Sequence, residues 1–283
     1  METLHTVADL RAAVARWRSA GERVALVPTM GNLHEGHLRL VDRARELAGR
    51  VVVSIFVNPT QFGPGEDFER YPRTLEADSE KLARRNVDLV FAPGVEEVYP
   101  EGSESRTRVE VTGISDQLCG EFRPGHFVGV ATVVAKLLNM AQPDVAVFGT
   151  KDYQQLKVIR WLVEDLCLPV VIEGVETVRE ANGLAMSSRN AYLSAGERET
   201  AAELYRTLRH TAERLRAGEH DFSVLEQEAL AHLRSRGFRP DYYAIRRAAD
   251  LQSPGPEDKA LVVLVAAHLG DARLIDNLEV RLP

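Results

Sequence analysis

The chain has 283 residues, is 45% hydrophobic and 27% charged, and carries a formal net charge of −7. These values describe a globular protein long enough to bury one large core or two modest ones. The acidic balance excludes broad binding to nucleic acid or to an anionic membrane, which needs a basic field, but leaves room for a local positive pocket.

In chain order, the first signal is a helix start. Thr6 with Asp9 forms a cap, and Val7, Leu10, Val14 and Trp17 recur at helical spacing. This is not the pattern of a secretory leader. The apolar run 24–27 then predicts a strand that ends in Pro28 and the tight turn Thr29-Met30-Gly31. An amphipathic helix is expected over 35–48. Further strands are expected at 51–57, 88–91, 145–148 and 170–172, with helices at 75–85, 127–140 and 153–166. Continuous apolar runs such as VVVSIFV read as strands buried on both faces. Strand–helix alternation predicts a parallel sheet with right-handed crossovers.

Beyond about Val175 the pattern changes. Ser194 with Glu197 reads as a capping box opening a helix to Arg216, stopped by Gly218. A second helix covers 223–235 and ends at Gly237. Short strands are expected at 242–245, 261–267 and 273–275, with the loop Ser253-Pro254-Gly255-Pro256 between the first two. The expectation is an α/β chain. A Rossmann-like parallel sheet with helices on both faces spans 1–175, and a smaller C-terminal α+β domain, 176–283, closes over it. The longest apolar run, 260–267, is too short to cross a bilayer of about 30 Å. Cys119 and Cys167 read as reduced thiols, since two cysteines make no disulfide framework. A cytoplasmic protein is expected.

The chemistry-bearing residues gather after strands. His34 and His37 flank Gly36 at the mouth of a helix, where free backbone N–H groups favour an anion. The spacing is not that of a zinc protease, and no cysteine completes a zinc set. Gln61 lies in the turn-rich loop Asn58-Pro59-Thr60-Gln61-Phe62-Gly63, and its amide suits a carboxylate or hydroxyl. Lys151 stands near a helix start, with Gln155 one turn further on the same face. Met186-Ser187-Ser188-Arg189 offers two hydroxyls and a guanidinium, a phosphate clamp on a connecting loop. Arg123 could add charge to the crevice, and His126 could cap its own helix. His210, His220, His232 and His268 read as structural. Neither a P-loop nor a GxGxxG motif occurs. Each of these features taken alone also fits an ordinary capped helix or polar loop; it is their convergence on three strand ends that points to a site.

Six segments in order, PTMGNLHEGH, SIFVNPTQFG, YPRTLEAD, RPGHFVGVATVVAKL, GTKDYQQL and GLAMSSRN, resemble the pantoate–β-alanine ligases (pantothenate synthetases). These belong to a nucleotidyltransferase superfamily with an HxGH motif. The resemblance implies that pantoate is first joined to AMP and then passed to β-alanine, with ATP as co-substrate and Mg²⁺ on its phosphates. It implies that Met30, Gly31, Asn32, Leu33, His34, Glu35, Gly36 and His37 wrap ATP. His37, His34 and Lys151 would be catalytic. Gly149, Thr150, Lys151 and Asp152 would hold ribose and phosphate, and Val178 would touch adenine. Met186, Ser187, Ser188 and Arg189 would close over the triphosphate. Gln61 and Gln155 would hold pantoate, Gln61 also reaching β-alanine, and Asp78 would be a metal contact. A homodimer is implied, with no nucleic-acid or membrane partner. Asn182 and Thr150 depart from the family's usual residues without removing a group the chemistry needs. Three rivals remain open at this stage: a nucleotidyltransferase that leaves the nucleotide on its product, a non-catalytic nucleotide sensor, and a metal-binding module using His34 and His37.

Overall fold

The computed structural model describes residues 1–102 and 106–283. Among these residues the chain forms two compact units, Met1–Thr150 with Gln155–Glu176, and Lys151–Gln154 with Thr177–Pro283. The short run Lys151–Gln154 therefore groups with the C-terminal unit.

The first unit is built on six strands: β1 (Glu2–Leu4), β2 (Val24–Thr29), β3 (Arg50–Ile55), β4 (Leu89–Phe91), β5 (Val145–Gly149) and β6 (Val171–Val175). They lie in the order β1-β4-β3-β2-β5-β6, and every pair is parallel. The helices are α1 (Val7–Ser19), α2 (Glu35–Leu47), α3 (Leu75–Ala83), the short α4 (Val95–Val98) and α5 (Cys119–Phe122), α6 (His126–Ala141) and α7 (Tyr153–Asp165).

Strand alternation explains the two-faced core. Ala25, Val27, Val51, Val53, Val90, Val145 and Val147 pack with Leu38, Val41 and Ala44 of α2 and Leu82 of α3. Their neighbours in sequence, Val24, Leu26, Val52 and Ala146, are equally inaccessible. On β2 they meet α1 and α6, which pack on that strand and on each other. Covering both faces removes any need for polar residues along the strands, which is why the runs are continuously apolar. From β2 the chain winds through β3 to β4 in one direction, then returns past β2 to lay down β5 and β6 in the other. That reversal opens a crevice beyond the C-terminal ends of β2 and β5.

Three details differ from expectation in this unit. Strand β1 is a three-residue edge strand, too short for any periodicity to show. Helices α4 and α5 are single turns. Strand β3 stops at Ile55, leaving Phe56 and Val57 in the loop, although the Phe56 N–H still donates to the Thr29 carbonyl at 3.0 Å. At the opposite edge, β6 exposes Val171, and Cys167 just before it is exposed while Cys119 is buried.

In the second unit, α8 (Ala195–Ala201), α9 (Glu203–Arg216) and α10 (Phe222–Ser235) accompany β7 (Arg239–Arg247), β8 (Ala260–Leu269) and β9 (Ala272–Arg281). The strands form an antiparallel sheet in sequence order. Leu204, Leu208, Leu215, Leu225 and Leu233 close over Ile245, Leu261, Val263, Val265 and Val280. The single helix expected from Ser194 to Arg216 is interrupted at Ala202. Strand β9 is far longer than expected because Asp276 and Asn277, which look like turn residues, are buried inside it with polar partners. Among the described residues, no helix is long and apolar enough to cross a membrane.

Candidate functional site

The sequence around β2 places two imidazoles at a helix mouth. Residue 34 is extended and serves as the N-cap of α2, and its ring Nδ1 accepts from the Gly36 N–H at 3.1 Å. His37 reaches back, its Nδ1 accepting from the His34 N–H at 3.3 Å. Histidines thus form the reciprocal cap usually built from Ser and Glu. Since each Nδ1 accepts, the proton of each ring sits on Nε2. The rings stack at 4.1 Å between centroids, tilted by 38°. Glu35 opens the helix and pairs with Arg85 at 2.9 Å.

The turn before them is held from behind. Gly31 and Asn32 both adopt positive φ, +82° and +50°. A Cβ on Gly31 would sit 3.1 Å from Ile55 Cγ2 and 3.2 Å from Asp78 Oδ2, so glycine answers both strain and space. Asp78, on α3, is fully buried. Its Oδ2 accepts from the Asn32 N–H at 2.8 Å and from the Thr74 hydroxyl at 3.0 Å, and its Oδ1 accepts from the Leu33 N–H at 2.8 Å. Lys81 Nζ lies 3.6 Å from Oδ1 and donates to the Leu33 carbonyl at 2.7 Å. Three of the carboxylate's four lone-pair sites thus accept N–H or O–H donors and an ammonium stands beside Oδ1, surroundings that do not fit the metal contact expected at Asp78.

The loop after β3 meets the turn after β2. Gln61 Nε2 lies 3.1 Å from Met30 Sδ. The amide is oriented by buried Asn58, whose Nδ2 donates to Gln61 Oε1 and to the Gly129 carbonyl, both at 3.2 Å. Asn58 Oδ1 in turn accepts from the Tyr99 hydroxyl at 2.9 Å and the Thr60 hydroxyl at 3.0 Å. Burial pushes the Tyr99 hydroxyl above its ordinary value, against a smaller opposing effect of its bond to Thr60. Helix α6 presses on this loop so closely that a Cβ on Gly129 would lie 2.2 Å from the Thr60 carbonyl oxygen.

Arg123 and His126 have sharper roles than expected. Arg123 bonds Glu66 through Nε at 2.7 Å and Nη2 at 2.6 Å, so its charge is already neutralised. Burial alone would raise the Glu66 carboxyl, but the Arg123 guanidinium outweighs it and holds the group below the ordinary carboxylate value. Arg123 Nη1 also lies 3.0 Å from His126 Nε2, and a guanidinium can only donate. The proton of His126 is thus on Nδ1, which donates to the Gln61 carbonyl at 2.8 Å.

In the second unit, the Lys151 carbonyl accepts from Asn277 Nδ2 at 2.8 Å, and its ammonium lies 3.9 Å from Asp152. The Tyr153 hydroxyl donates to Glu279 at 2.6 Å. Val178 and Met186 are joined by a backbone bond of 2.9 Å across a tight hairpin. Arg179 anchors that hairpin through a two-bonded pair with Asp276, at 2.6 and 2.9 Å, stacked 3.6 Å over the Tyr205 ring. Ser187 caps the turn Ser188–Tyr192 by accepting from the Arg189 N–H. Gly149 ends β5, Thr150 opens the turn Thr150–Asp152, and Gln155 follows on α7.

The structure therefore brings together Met30 with Gln61, His34 with His37, and Val178 with Met186. Sequence reasoning missed Asn58, Tyr99, Lys81 and Arg179 as supports. Asn58 before proline is a recognisable cap, and Lys81 stands three residues after Asp78 on one helix face. Nothing local marks Tyr99 or Arg179. Among the described residues, no group of three or more His, Cys, Asp or Glu side chains is arranged to hold a metal ion.

The profile of the family described as pantoate-beta-alanine ligase matches residues 2–279. The pantothenate synthetase of Methylococcus capsulatus is 58% identical over 282 residues, covering 100% of this chain and 99% of its own. The crystal structure of pantoate-beta-alanine ligase (pantothenate synthetase) from Thermus thermophilus superposes with a TM-score of 0.92 at 52% identity, covering 100% of both chains. The pantoate-beta-alanine ligase of Francisella tularensis, complexed with beta-gamma ATP and beta-alanine, gives 0.82 at 34% identity, covering 98% of this chain and 97% of its own.

Proposed function

The chain belongs to the pantoate-β-alanine ligase family, and from that membership we propose how its residues divide the chemistry of joining pantoate to β-alanine. In the first half-reaction a pantoate carboxylate oxygen attacks the α-phosphorus of ATP. The bond to the bridging oxygen breaks, pyrophosphate departs, and pantoyl adenylate remains. In the second, the β-alanine nitrogen attacks the acyl carbon, the bond to AMP breaks, and the nitrogen sheds its extra proton. The Francisella relative, with beta-gamma ATP and beta-alanine bound, supports these two as substrates here.

The observation that carries the site assignment is the paired-imidazole cap of α2 at the point where strand order reverses. Two Nε2–H groups and a helix N-terminus preset donors for the charge that develops on phosphate. His34 and His37 donate to the phosphates, and the backbone of Met30 to Leu33, with Glu35 and Gly36, shapes the nucleotide's seat. Lys151 supplies a cation to the phosphates, with Gly149, Thr150 and Asp152 beside the ribose. Val178 meets adenine. Met186, Ser187, Ser188 and Arg189 bind the triphosphate. Gln61, its amide oriented by Asn58, holds pantoate together with Gln155 and also reaches β-alanine. Pre-positioning both substrates against ATP recovers association entropy worth roughly 7–11 kcal/mol at best.

Asp78 does not fit a Mg²⁺ ligand, so no step runs through a protein-bound ion; Mg²⁺ enters with ATP as the counter-ion of its phosphates. By family likeness the enzyme is a homodimer of the cytoplasm, which sedimentation and fractionation test. The central test is pantoate-dependent exchange of labelled pyrophosphate into ATP. Exchange is expected with pantoate and absent without it; a folded protein that shows none refutes the adenylate route.

A further inference from the structure

We propose that Asp78 and Lys81 of α3 act together as a positioning clamp on the Asn32–Leu33 backbone, fixing the turn that delivers His34, and that this pair serves in place of a metal site. The proposal rests on the ligase reading above. The Leu33 residue is gripped at both ends: its N–H donates to Asp78 Oδ1 at 2.8 Å and its carbonyl accepts from Lys81 Nζ at 2.7 Å. The second carboxylate oxygen takes the Asn32 N–H at 2.8 Å. The two side chains stand three residues apart, so they project from one face of the helix. Asn32 holds φ at +50°, a conformation that ordinary side chains rarely adopt, and it follows Gly31 at +82°. Glycine enters that region freely and asparagine more readily than most residues, and the carboxylate's bond to the Asn32 N–H holds the turn there.

The chemistry of the pair favours a clamp over cation binding. A carboxylate accepts from two adjacent backbone N–H groups because both of its oxygens are acceptors; an amide of the same shape would turn its NH₂ toward one of them. The Lys81 ammonium, 3.6 Å from Oδ1, already occupies the position of a counter-charge. A divalent ion would have to displace that ammonium and compete with three donors for a side chain that is 0% exposed.

Asp78→Asn and Lys81→Met test the clamp. Four readouts are needed: ATP affinity by calorimetry, kcat and KM for ATP in pyrophosphate exchange, the half-saturating concentration of free Mg²⁺, and amide hydrogen exchange of peptides covering residues 30–38. A misplacement on the order of 1 Å can cost roughly 10²-fold in rate, so Asp78→Asn is expected to lower kcat by about tenfold to a hundredfold. Lys81→Met, losing one charge-assisted bond, is expected to weaken ATP by about three- to tenfold. In both, exchange quickens at residues 30–38 while peptides from β8 stay protected, and the half-saturating concentration of free Mg²⁺ stays the same. A rise in that concentration in Asp78→Asn, with activity restored by excess Mg²⁺, would overturn the clamp in favour of a metal ligand. Unchanged ATP affinity and kcat in Lys81→Met would overturn it as well. Lys81 is half-exposed at 38%, so that variant decides the matter if Asp78→Asn fails to fold. Should the wild type itself show no pantoate-dependent exchange, the ligase reading falls, while calorimetry and amide exchange still judge the clamp.

Discussion

Histidine is a poor helix former, yet two of them close the mouth of α2. Each uses Nδ1 on the backbone, which leaves its ring proton on Nε2, so one residue combines a cap with an N–H donor. The consequence is testable at single positions. His37→Ala and Lys151→Ala are expected to slow adenylation by about 10²-fold or more, the usual loss when one preset donor to developing charge is removed. Pyrophosphate exchange measures the rate, and circular dichroism checks that helix content is kept. Wild-type rates in either variant would remove that residue from the mechanism. The Glu66–Arg123 pair makes a different prediction. The Glu66 carboxyl titrates lower in the folded chain than its ordinary value of 4.5. Its contribution to stability is therefore present above that value and is lost as pH falls through and below it. Glu66→Gln should lower the denaturation midpoint at pH about 7, and its gap from wild type should narrow as pH is taken progressively below 4.5. A gap that stays constant as the pH falls would reject the assignment.

Elements place these residues more strictly than their sequences suggest. Helix α6 does not merely cover β2; it seats the loop bearing Gln61. His126 bonds the Gln61 carbonyl, the Gly129 carbonyl accepts from Asn58, and Gly129 leaves no room for a side chain against Thr60. Gly129→Ala should therefore force the helix and the loop apart, costing about 1–3 kcal/mol in stability. It should also raise the KM for pantoate more than the KM for ATP, which steady-state kinetics can separate. A variant with normal stability and both constants unchanged would show that the contact is slack. The same contact shows where sequence reading runs out. The strand–helix alternation was legible because β2, β3 and β5 bury both faces and leave long apolar runs. The loops carrying Met30, His34 and Gln61 were legible because they break those runs with glycine, proline and histidine. Their supports were not: the Asn58 cap is recognisable, but Tyr99 and Gly129 come from separate stretches, and no spacing along the chain reports that they meet it at one loop. Strand β9 hid for a related reason. Asp276 and Asn277 read as turn residues until Arg179 and the Lys151 carbonyl are seen to satisfy them.

At the scale of the molecule, the two units each carry a core, and the six ordered segments span both. A ligand that binds only the folded chain stabilises it by mass action, by about 2.7 kcal/mol at a hundredfold excess over its Kd. ATP with pantoate should therefore raise the melting temperature clearly. Chelator treatment of the ligand-free protein should leave it unchanged, because no group of three or more His, Cys, Asp or Glu side chains among the described residues is arranged to hold an ion. A drop on chelation would point to a structural metal. The edge of the first unit offers a practical opening. Of the two thiols, Cys119 is shielded and Cys167 stands in solvent just ahead of β6. A maleimide dye applied without denaturant should attach at one position per chain, giving a fluorescent reporter bound to the sheet's rim without any engineered cysteine.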